Sequence, residues 1–175
     1  QIIASNKMIK LKTYTTTSGE VLLYNGEPDL AMLEVLTQGP GDLWHSSLDQ
    51  GFENCFKELV YQSAVYWWFV NDFKVADTAV NWRLNAHSFV VRASVWETLG
   101  GFDYQYSETV VSGLDFGFNL IRNSAGTPLY VNRLFPKLST EVSISKEDRY
   151  LFFLKNFKKH HSFYMLFRKR FSFLS

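Results

Sequence analysis

The stretch from residue 82 to residue 131 places the strongest constraint on the fold of this chain. It contains, in order, a predicted strand at 82–92 with Phe89-Val90-Val91 as its apolar centre, a short helical segment at 93–99, the turn sequence Gly100-Gly101-Phe102-Asp103, a helical segment at 113–123 and a short strand at 127–131. Strands that alternate with helices build domains in which helices cover a sheet. The sequence therefore predicts the α/β class.

The first forty residues extend this pattern. Residues 8–14 and 21–24 are rich in strand-forming side chains and enclose a Ser-Gly turn, which predicts a β-hairpin. Asp29 is placed to cap a short helix over residues 30–36. Further along, helical spacing predicts a helix at 53–62, and a continuous apolar run predicts a buried strand at 64–70.

Length and composition exclude several classes of protein. A chain of 175 residues is the size of one domain, or of a piece of a larger one. Hydrophobic residues make up 46% and charged residues 20%, so the chain is not a disordered tail. Cys55 is the single cysteine, which excludes an internal disulfide and a four-cysteine zinc site. The start of the chain resembles no signal peptide, and since it lacks Met we expect a partial domain.

The last segment, residues 146–175, is predicted to be a basic, aromatic helix. Its stripe of residues at helical spacing consists of Phe153, Phe157, His160, Tyr164, Phe167 and Phe171. Residues 151–175 hold six of the 18 basic residues and none of the 17 acidic ones. The rest of the chain therefore has a small net negative charge, which does not suit the binding of nucleic acid. For residues 150–160 the sequence favours packing of the stripe on the domain, and for residues 163–175 it favours contact with an anionic membrane surface.

The ordered motifs of residues 82–131 resemble family 2 inverting glycosyltransferases of the GT-A fold. The shared features are the strand ending at Arg92, the short helix containing Trp96, the Gly-Gly-Phe-Asp turn, the loop ending in Asp115 at a helix start, and the strand that follows Gly126-Thr127-Pro128. Three further segments look like features of one bacterial subgroup: Trp44-His45-Ser46, Asn71-Asp72 and Asn81-Trp82-Arg83-Leu84.

The resemblance implies a GT-A-like, Rossmann-like mixed sheet flanked by helices. It implies an enzyme of polysaccharide biosynthesis that moves a sugar from a nucleotide-sugar donor to a glycan or lipid-linked acceptor, with inversion. We interpret residues 1–175 as one domain. Within it, 1–40 is a remnant of the donor half, 41–145 is the acceptor and catalytic half, and 146–175 is the closing helix. The expected location is the cytoplasm, at the inner face of the membrane.

Asp115 is the residue that the resemblance assigns to catalysis. In the family, the Asp of a Glu-Asp pair takes the proton from the acceptor hydroxyl, because an alcohol is a poor nucleophile until a carboxylate removes its proton. Here Leu114 stands at the Glu position. The alternative is that Asp115 complements the dipole of the helix that it begins.

The donor side of the family pattern is less complete. A divalent metal, Mn²⁺ or Mg²⁺, is implied by the family alone, because the chain contains no Asp-x-Asp and its metal ligands are unknown. His45 is isolated, so we expect a hydrogen-bonded structural residue rather than a metal ligand.

Seven residues are predicted to contact substrate. They are Asp72, Trp82, Arg83, Gly100, Gly101, Phe102 and Asp103. Trp82 suits stacking on a sugar ring, and the two glycines allow close approach of the backbone. Core packing of Trp82 and a purely structural turn at 100–103 are the alternatives.

Two function hypotheses remain at this point. The first is the glycosyltransferase, with Asp115 as general base. The second is a non-catalytic glycan-binding or membrane-peripheral module on a degenerate GT-A fold, which the missing Asp-x-Asp favours.

Overall fold

The computed structural model describes residues 9–53, 55–56, 76–138 and 141–157. Within these residues the chain forms one six-stranded mixed sheet and four α-helices, so the predicted α/β class is confirmed. The strands are β1 Lys12–Thr15, β2 Val21–Asn25, β3 Leu43–His45, β4 Thr78–Val80, β5 Phe89–Arg92 and β6 Pro128–Val131. The helices are α1 Leu30–Leu36, α2 Ala93–Leu99, α3 Thr109–Arg122 and α4 Lys146–Asn156, with a 3-10 helix at Ser47–Gln50.

Several predictions lie outside the described residues. They are the strand at 64–70, most of the helix at 53–62, the substrate contact Asp72 and the basic residues that follow Phe157.

The sheet is antiparallel except at its centre. The strand order is β1-β2-β5-β3-β6-β4, and β3 pairs in parallel with β6 while every other neighbouring pair is antiparallel. Strands β2, β3 and β6 therefore run in one direction. Their carboxyl ends lie along the same edge, which is the edge where open α/β sheets usually bind ligands.

The predicted hairpin and first helix are confirmed, although β1 begins at Lys12 and residues 9–11 are not part of a strand. The Thr16 amide donates to the Glu20 carbonyl at 2.9 Å and closes the turn between β1 and β2. The Asp29 carboxylate accepts from the Ala31 amide at 3.0 Å, so it caps α1 as the sequence predicted. Both features depend on residues close together in the chain, which is why local patterns could predict them.

The two faces of the sheet bury different apolar clusters. On one face Leu33 of α1 packs with Trp44, Val90 and Leu129. On the other face Phe89 and Val91 pack with residues of α2 and α3. Adjacent residues of β5 thus point to opposite faces, as the two-residue period of a strand requires.

The predicted strand at 82–92 is largely wrong. Only Phe89–Arg92 is a strand, and residues 81–85 have no regular structure. The Asn81 side-chain oxygen accepts from the Arg83 amide at 2.9 Å, and the Leu84 amide donates to the Trp82 carbonyl at 2.8 Å. These local bonds replace a strand ladder and let the segment pass beneath α3.

Helix α3 begins four residues earlier than the sequence predicted. The predicted range was 113–123, and the observed helix is Thr109–Arg122. Its cap residue, Glu108, makes no side-chain cap hydrogen bond. Asp148 of α4 instead accepts from the backbone amides of Ser107 and Glu108, at 2.9 and 2.7 Å. Because the carboxylate that holds the backbone just before this helix comes from another helix, the local sequence does not show where α3 starts.

His45 is the buried structural histidine that the sequence predicted. It is fully buried at the end of β3. Its Nε2 lies 2.8 Å from the Asn81 carbonyl oxygen, which must accept, so Nε2 carries the proton. The other ring nitrogen, Nδ1, then accepts from the backbone amide of Ser47 at 3.3 Å, while the Ser47 hydroxyl donates to the Arg83 carbonyl. Burial lowers the pKa of His45 from 6.5 to about 4, against the opposing effect of the Asn81 carbonyl.

This histidine should make the stability of the fold depend on pH. Because its pKa is lower in the folded chain, the unfolded chain takes up a proton first as the pH falls. The free energy of unfolding should therefore decrease between pH 6.5 and about 4, by about 3 kcal/mol from this group. Urea unfolding at several pH values measures it. His45→Gln keeps a donor for the Asn81 carbonyl and has no titrating ring, so it should flatten the profile. An equal pH slope in both proteins would contradict this expectation.

Candidate active site

Asp115 lies in the second turn of α3, not at the helix start where the sequence put it. The alternative role, as a carboxylate that complements the helix dipole, is therefore weak, since that effect is confined to the first turn. The residue is 7% exposed. Its side chain points towards the loop that follows α2 and towards the end of α4, where its hydrogen-bond partners lie.

Three neutral donors hold the Asp115 carboxylate. Tyr106 donates its hydroxyl to Oδ1 at 2.8 Å, and the side-chain amide of Asn156 donates to the same oxygen at 2.6 Å. Asn119, one turn further along α3, donates to Oδ2 at 3.0 Å and to the Asp115 carbonyl at 2.9 Å. The carboxylate is thus oriented by three elements of the fold, with no direct ion pair among its contacts in the described residues.

This environment makes Asp115 more basic than an ordinary aspartate. Burial raises its pKa, and the nearby Asp103 carboxylate raises it further. The hydrogen bonds from Asn156 and Tyr106 and the charge of Lys155 lower the pKa, but burial outweighs them. A carboxylate with a raised pKa and little solvent around it is suited to accept a proton from a hydroxyl group.

Asp103 brings the Gly-Gly-Phe-Asp turn to the same cluster. Its carboxylate pairs with the Lys155 ammonium and accepts from the Gln105 amide at 2.9 Å. Burial alone would raise the pKa of Asp103, but the Lys155 hydrogen bond and charge bring it below the ordinary value. The Lys155 Nζ also lies 4.8 Å from the centre of the Tyr106 ring. Asp103 therefore stays ionised beside a carboxyl group that is less acidic.

Residues 100–102, the rest of the turn, make contacts that stabilise the fold. Gly100 has φ of +76° and ends α2, and Gly101 has φ of +75°. A Cβ on Gly101 would lie 3.0 Å from the Trp96 ring. Phe102 is buried against Trp96 and Phe116. These contacts support the structural alternative for residues 100–102, while the Asp103 side chain reaches the Asp115 cluster.

Two other predicted substrate contacts are inside the protein. Trp82 and Arg83 are each 1% exposed. The Trp82 ring stacks 6.2 Å from Phe152 and meets Phe118 edge-on at 5.4 Å. The Arg83 Nε donates to the Cys55 carbonyl at 3.0 Å. Core packing, the alternative raised from the sequence, describes Trp82 in this structure.

Arg92, the residue that ends β5, also has a structural environment. Its guanidinium pairs with Glu20 and lies 3.3 Å from the Asp42 carboxylate. It covers the Trp44 ring at 5.2 Å. These contacts join β2, β5 and the start of β3 at the edge opposite the carboxyl ends of β3 and β6.

Sequence reasoning missed three residues of the site: Tyr106, Asn119 and Asn156. Asn119 could have been found, because it lies four residues after Asp115 on the same helix face. Tyr106 and Asn156 come from a loop and from another helix. Their approach to Asp115 depends on the docking of α4 against α3.

The described residues offer no obvious metal centre. Among residues 9–53, 55–56, 76–138 and 141–157, no three His, Cys, Asp or Glu side chains converge as metal ligands. Lys155 already pairs with Asp103, the carboxylate whose charge acts on Asp115. The described residues therefore do not fit the metal that the family resemblance implied.

A separate cavity of about 430 Å³ lies at the carboxyl ends of β2 and β6. It is lined by Glu27, Pro28, Asp29 and the residues from Arg133 to Lys137. None of the described substrate contacts predicted from the sequence lines this cavity. The Asp115 cluster and the cavity are therefore distinct features.

No family model, curated protein or solved structure matches this chain. In the part of the chain that the structure describes, no helix has both the length and the apolar character needed to span a membrane.

Proposed function

We propose that this chain is a GT-A-like catalytic domain of an inverting glycosyltransferase, with Asp115 as its general base. The observation that carries the proposal is the environment of Asp115. Its carboxyl group is buried, has a raised pKa and is held by oriented neutral donors. The mixed sheet flanked by helices is compatible with this fold, and the turn at 100–103 contributes Asp103 to the same cluster.

The proposed reaction is a single displacement at the anomeric carbon of the donor sugar. The acceptor hydroxyl oxygen forms a bond to that carbon from the face opposite the nucleoside diphosphate. The bond between the carbon and the diphosphate oxygen breaks, and its electron pair leaves with the diphosphate. Asp115 takes the hydroxyl proton as the oxygen attacks, and later returns it to water. Attack from the opposite face inverts the anomeric centre.

Leu114 and Asp103 have different roles in the proposed site. Leu114 is fully buried in the apolar cluster between α3 and α4, so the position that carries Glu in the family supplies packing here. Asp103 is held ionised by Lys155 and is placed to accept a hydrogen bond from a second hydroxyl of the acceptor. One carboxylate thus serves as base and another as a polar contact.

The proposed substrates are a nucleotide-sugar donor and a glycan or lipid-linked acceptor. The basic, aromatic sequence after Phe157 suits an acceptor presented at an anionic membrane surface, such as the inner face of the cytoplasmic membrane. No step above uses a metal ion.

The second candidate is a non-catalytic glycan-binding module. Two observations favour it: the chain lacks an Asp-x-Asp, and no metal ligand set occurs among the described residues. The burial of Trp82 argues against that residue as its sugar platform.

A donor panel separates the two candidates. The protein is incubated with nucleotide sugars of the uridine, guanosine and thymidine series, with Mn²⁺ or Mg²⁺ and with a lipid extract as the acceptor source. A transferase should release nucleoside diphosphate from at least one donor, faster with the extract than without it. Binding to glycans without release from any donor would support the module and contradict the transferase.

A further inference from the structure

The two oxygens of the Asp115 carboxylate have different surroundings. Oδ1 accepts from Tyr106 at 2.8 Å and from Asn156 at 2.6 Å, while Oδ2 accepts from Asn119 at 3.0 Å. A carboxylate oxygen has two in-plane lone pairs. Both lone pairs of Oδ1 are therefore used, and Oδ2 keeps one that no described residue occupies.

The donor from α4 is itself held in one orientation. The Asn156 side-chain oxygen accepts from the Arg122 guanidinium at 3.0 Å, and Arg122 also donates to the Asn156 carbonyl at 2.9 Å. The Asn156 side-chain nitrogen donates to the Phe152 carbonyl at 3.0 Å as well as to Asp115. Since a guanidinium can only donate and a carbonyl can only accept, these partners fix which end of the amide faces Asp115.

Tyr106 is fixed in a similar way. Its ring is buried in the cluster formed with Val111, Leu114 and Phe152, and its hydroxyl points out of that cluster to Asp115. Burial and the Asp115 carboxylate raise the pKa of the Tyr106 hydroxyl, so it remains a donor throughout the neutral range.

We propose that Tyr106 and Asn156 are positioning residues that saturate Oδ1 of Asp115, so that Oδ2 is the oxygen that removes the acceptor proton. This inference rests on the proposed function. In the reaction, the acceptor O–H bond breaks and its proton binds the open lone pair of Oδ2, while the acceptor oxygen bonds to the anomeric carbon. The two donors on Oδ1 keep the carboxylate from rotating and direct the open lone pair to one side.

The arrangement also sets the acidity of the base. Both donors stabilise the ionised form of Asp115, against burial and against the negative charge of Asp103. Three other charged groups face the cluster. They are Lys155, which pairs with Asp103, Arg122, which donates to Asn156, and Asp148 of α4, which accepts from the amides just before α3. These charges stay in place when either donor to Oδ1 is removed.

Carbon-13 NMR titration of the aspartate carboxyl groups tests the inference without any substrate. Tyr106→Phe and Asn156→Ala each remove one donor to Oδ1, so the pKa of Asp115 should be higher in both variants than in the wild type. Tyr104→Phe and Asn123→Ala are the matched controls, because both residues are exposed. The controls should leave the pKa of Asp115 unchanged.

The same variants are then assayed for nucleoside diphosphate release over a range of pH. The acid limb of the pH–rate profile should move to higher pH in Tyr106→Phe and Asn156→Ala, and kcat should fall more than KM rises. A residue that merely stabilised the fold would lower the melting temperature without moving that limb.

Failure of the inference and failure of the proposed function can be told apart. An unchanged Asp115 pKa in both variants, with active wild-type protein, would overturn the positioning role and leave the transferase intact. A wild-type protein that releases no nucleotide from any donor would overturn the proposed function. The assignment of Oδ2 as the proton acceptor would then be wrong as well, even if the pKa of Asp115 rose in both variants as expected.

Discussion

Asp115→Asn is expected to reduce the release of nucleoside diphosphate by roughly 10²- to 10⁴-fold, the usual contribution of a positioned acid or base. The amide has no lone pair basic enough to take a proton from an alcohol, so the acceptor oxygen would have to attack while still protonated. Donor binding should be retained, because the substitution removes a proton acceptor and not a contact with the nucleotide. Initial rates over a donor concentration series separate kcat from KM.

The structure also predicts how well this variant folds. The introduced amide oxygen can still accept from Tyr106 and Asn156, but its nitrogen faces the side-chain nitrogen of Asn119. One hydrogen bond is thus replaced by two opposed donors, at a cost of about 1 kcal/mol. The melting temperature should fall only slightly.

A matched substitution controls for the change of charge. Asp29→Asn removes one negative charge at the cap of α1, outside the Asp115 cluster, and Asn caps helices as well as Asp does. It should leave the rate of release unchanged. If Asp115→Asn keeps the wild-type rate, another group is the base.

The parts of the fold that the sequence predicted correctly are those built from local interactions. The hairpin needs a turn at Gly19 and two short strands, and α1 needs Asp29 at its cap. Helix α2 ends at Gly100, whose left-handed conformation is the usual helix stop. Each of these signals lies within a few residues of the structure that it specifies.

The parts that the sequence predicted wrongly are those set by distant residues. Helix α3 starts at Thr109 because Asp148, about forty positions later, binds the amides before it. The predicted strand at 82–92 took its strand character from Phe89-Val90-Val91, and its first residues are irregular because α3 packs directly on the backbone of residues 82–86. Neither the contact with Asp148 nor the packing of α3 on this segment can be seen in the neighbouring sequence.

The candidate site likewise contains residues that local sequence predicted and residues that it missed. Asp115 and Asp103 were found because each belongs to a short motif. Tyr106 and Asn156 were not, because their role depends on α4 packing against α3 through Phe152 and Leu114. Trp82 and Arg83 were predicted to contact substrate, and Trp82 lies among polar residues in the sequence, yet both side chains are buried in the interior. A residue with polar neighbours in the sequence can still be buried, because the neighbouring side chains can hydrogen-bond to the backbone instead of to water.

Gly117→Ala should be the most damaging small substitution in this fold. A Cβ at this position of α3 would lie 2.1 Å from the Trp82 carbonyl oxygen and 3.3 Å from the Leu84 Cβ. Backbone cannot rotate away as a side chain can, so α3 must move off the 81–85 segment. We expect a loss of about 3 kcal/mol in the free energy of unfolding, even after the better helix propensity of Ala is included. That loss corresponds to a fall of roughly 6–12 °C in Tm.

Two other glycines provide a graded comparison. A Cβ on Gly113 would lie 2.9 Å from the Ala86 backbone nitrogen, so Gly113→Ala should cost less than Gly117→Ala. Gly39→Ala meets an atom at 3.6 Å, which is ordinary contact, and should change Tm little. Urea unfolding of the three variants measures the order of their stabilities. A Gly117→Ala protein as stable as the wild type would contradict the close contact between α3 and residues 82–86.

Because Asp115 is carried on the same helix, a displaced α3 should also lengthen the hydrogen bond between Asp115 and Tyr106. The Asp115 carboxyl titration would then report the movement directly, linking the close packing of this helix to the acidity of the proposed base.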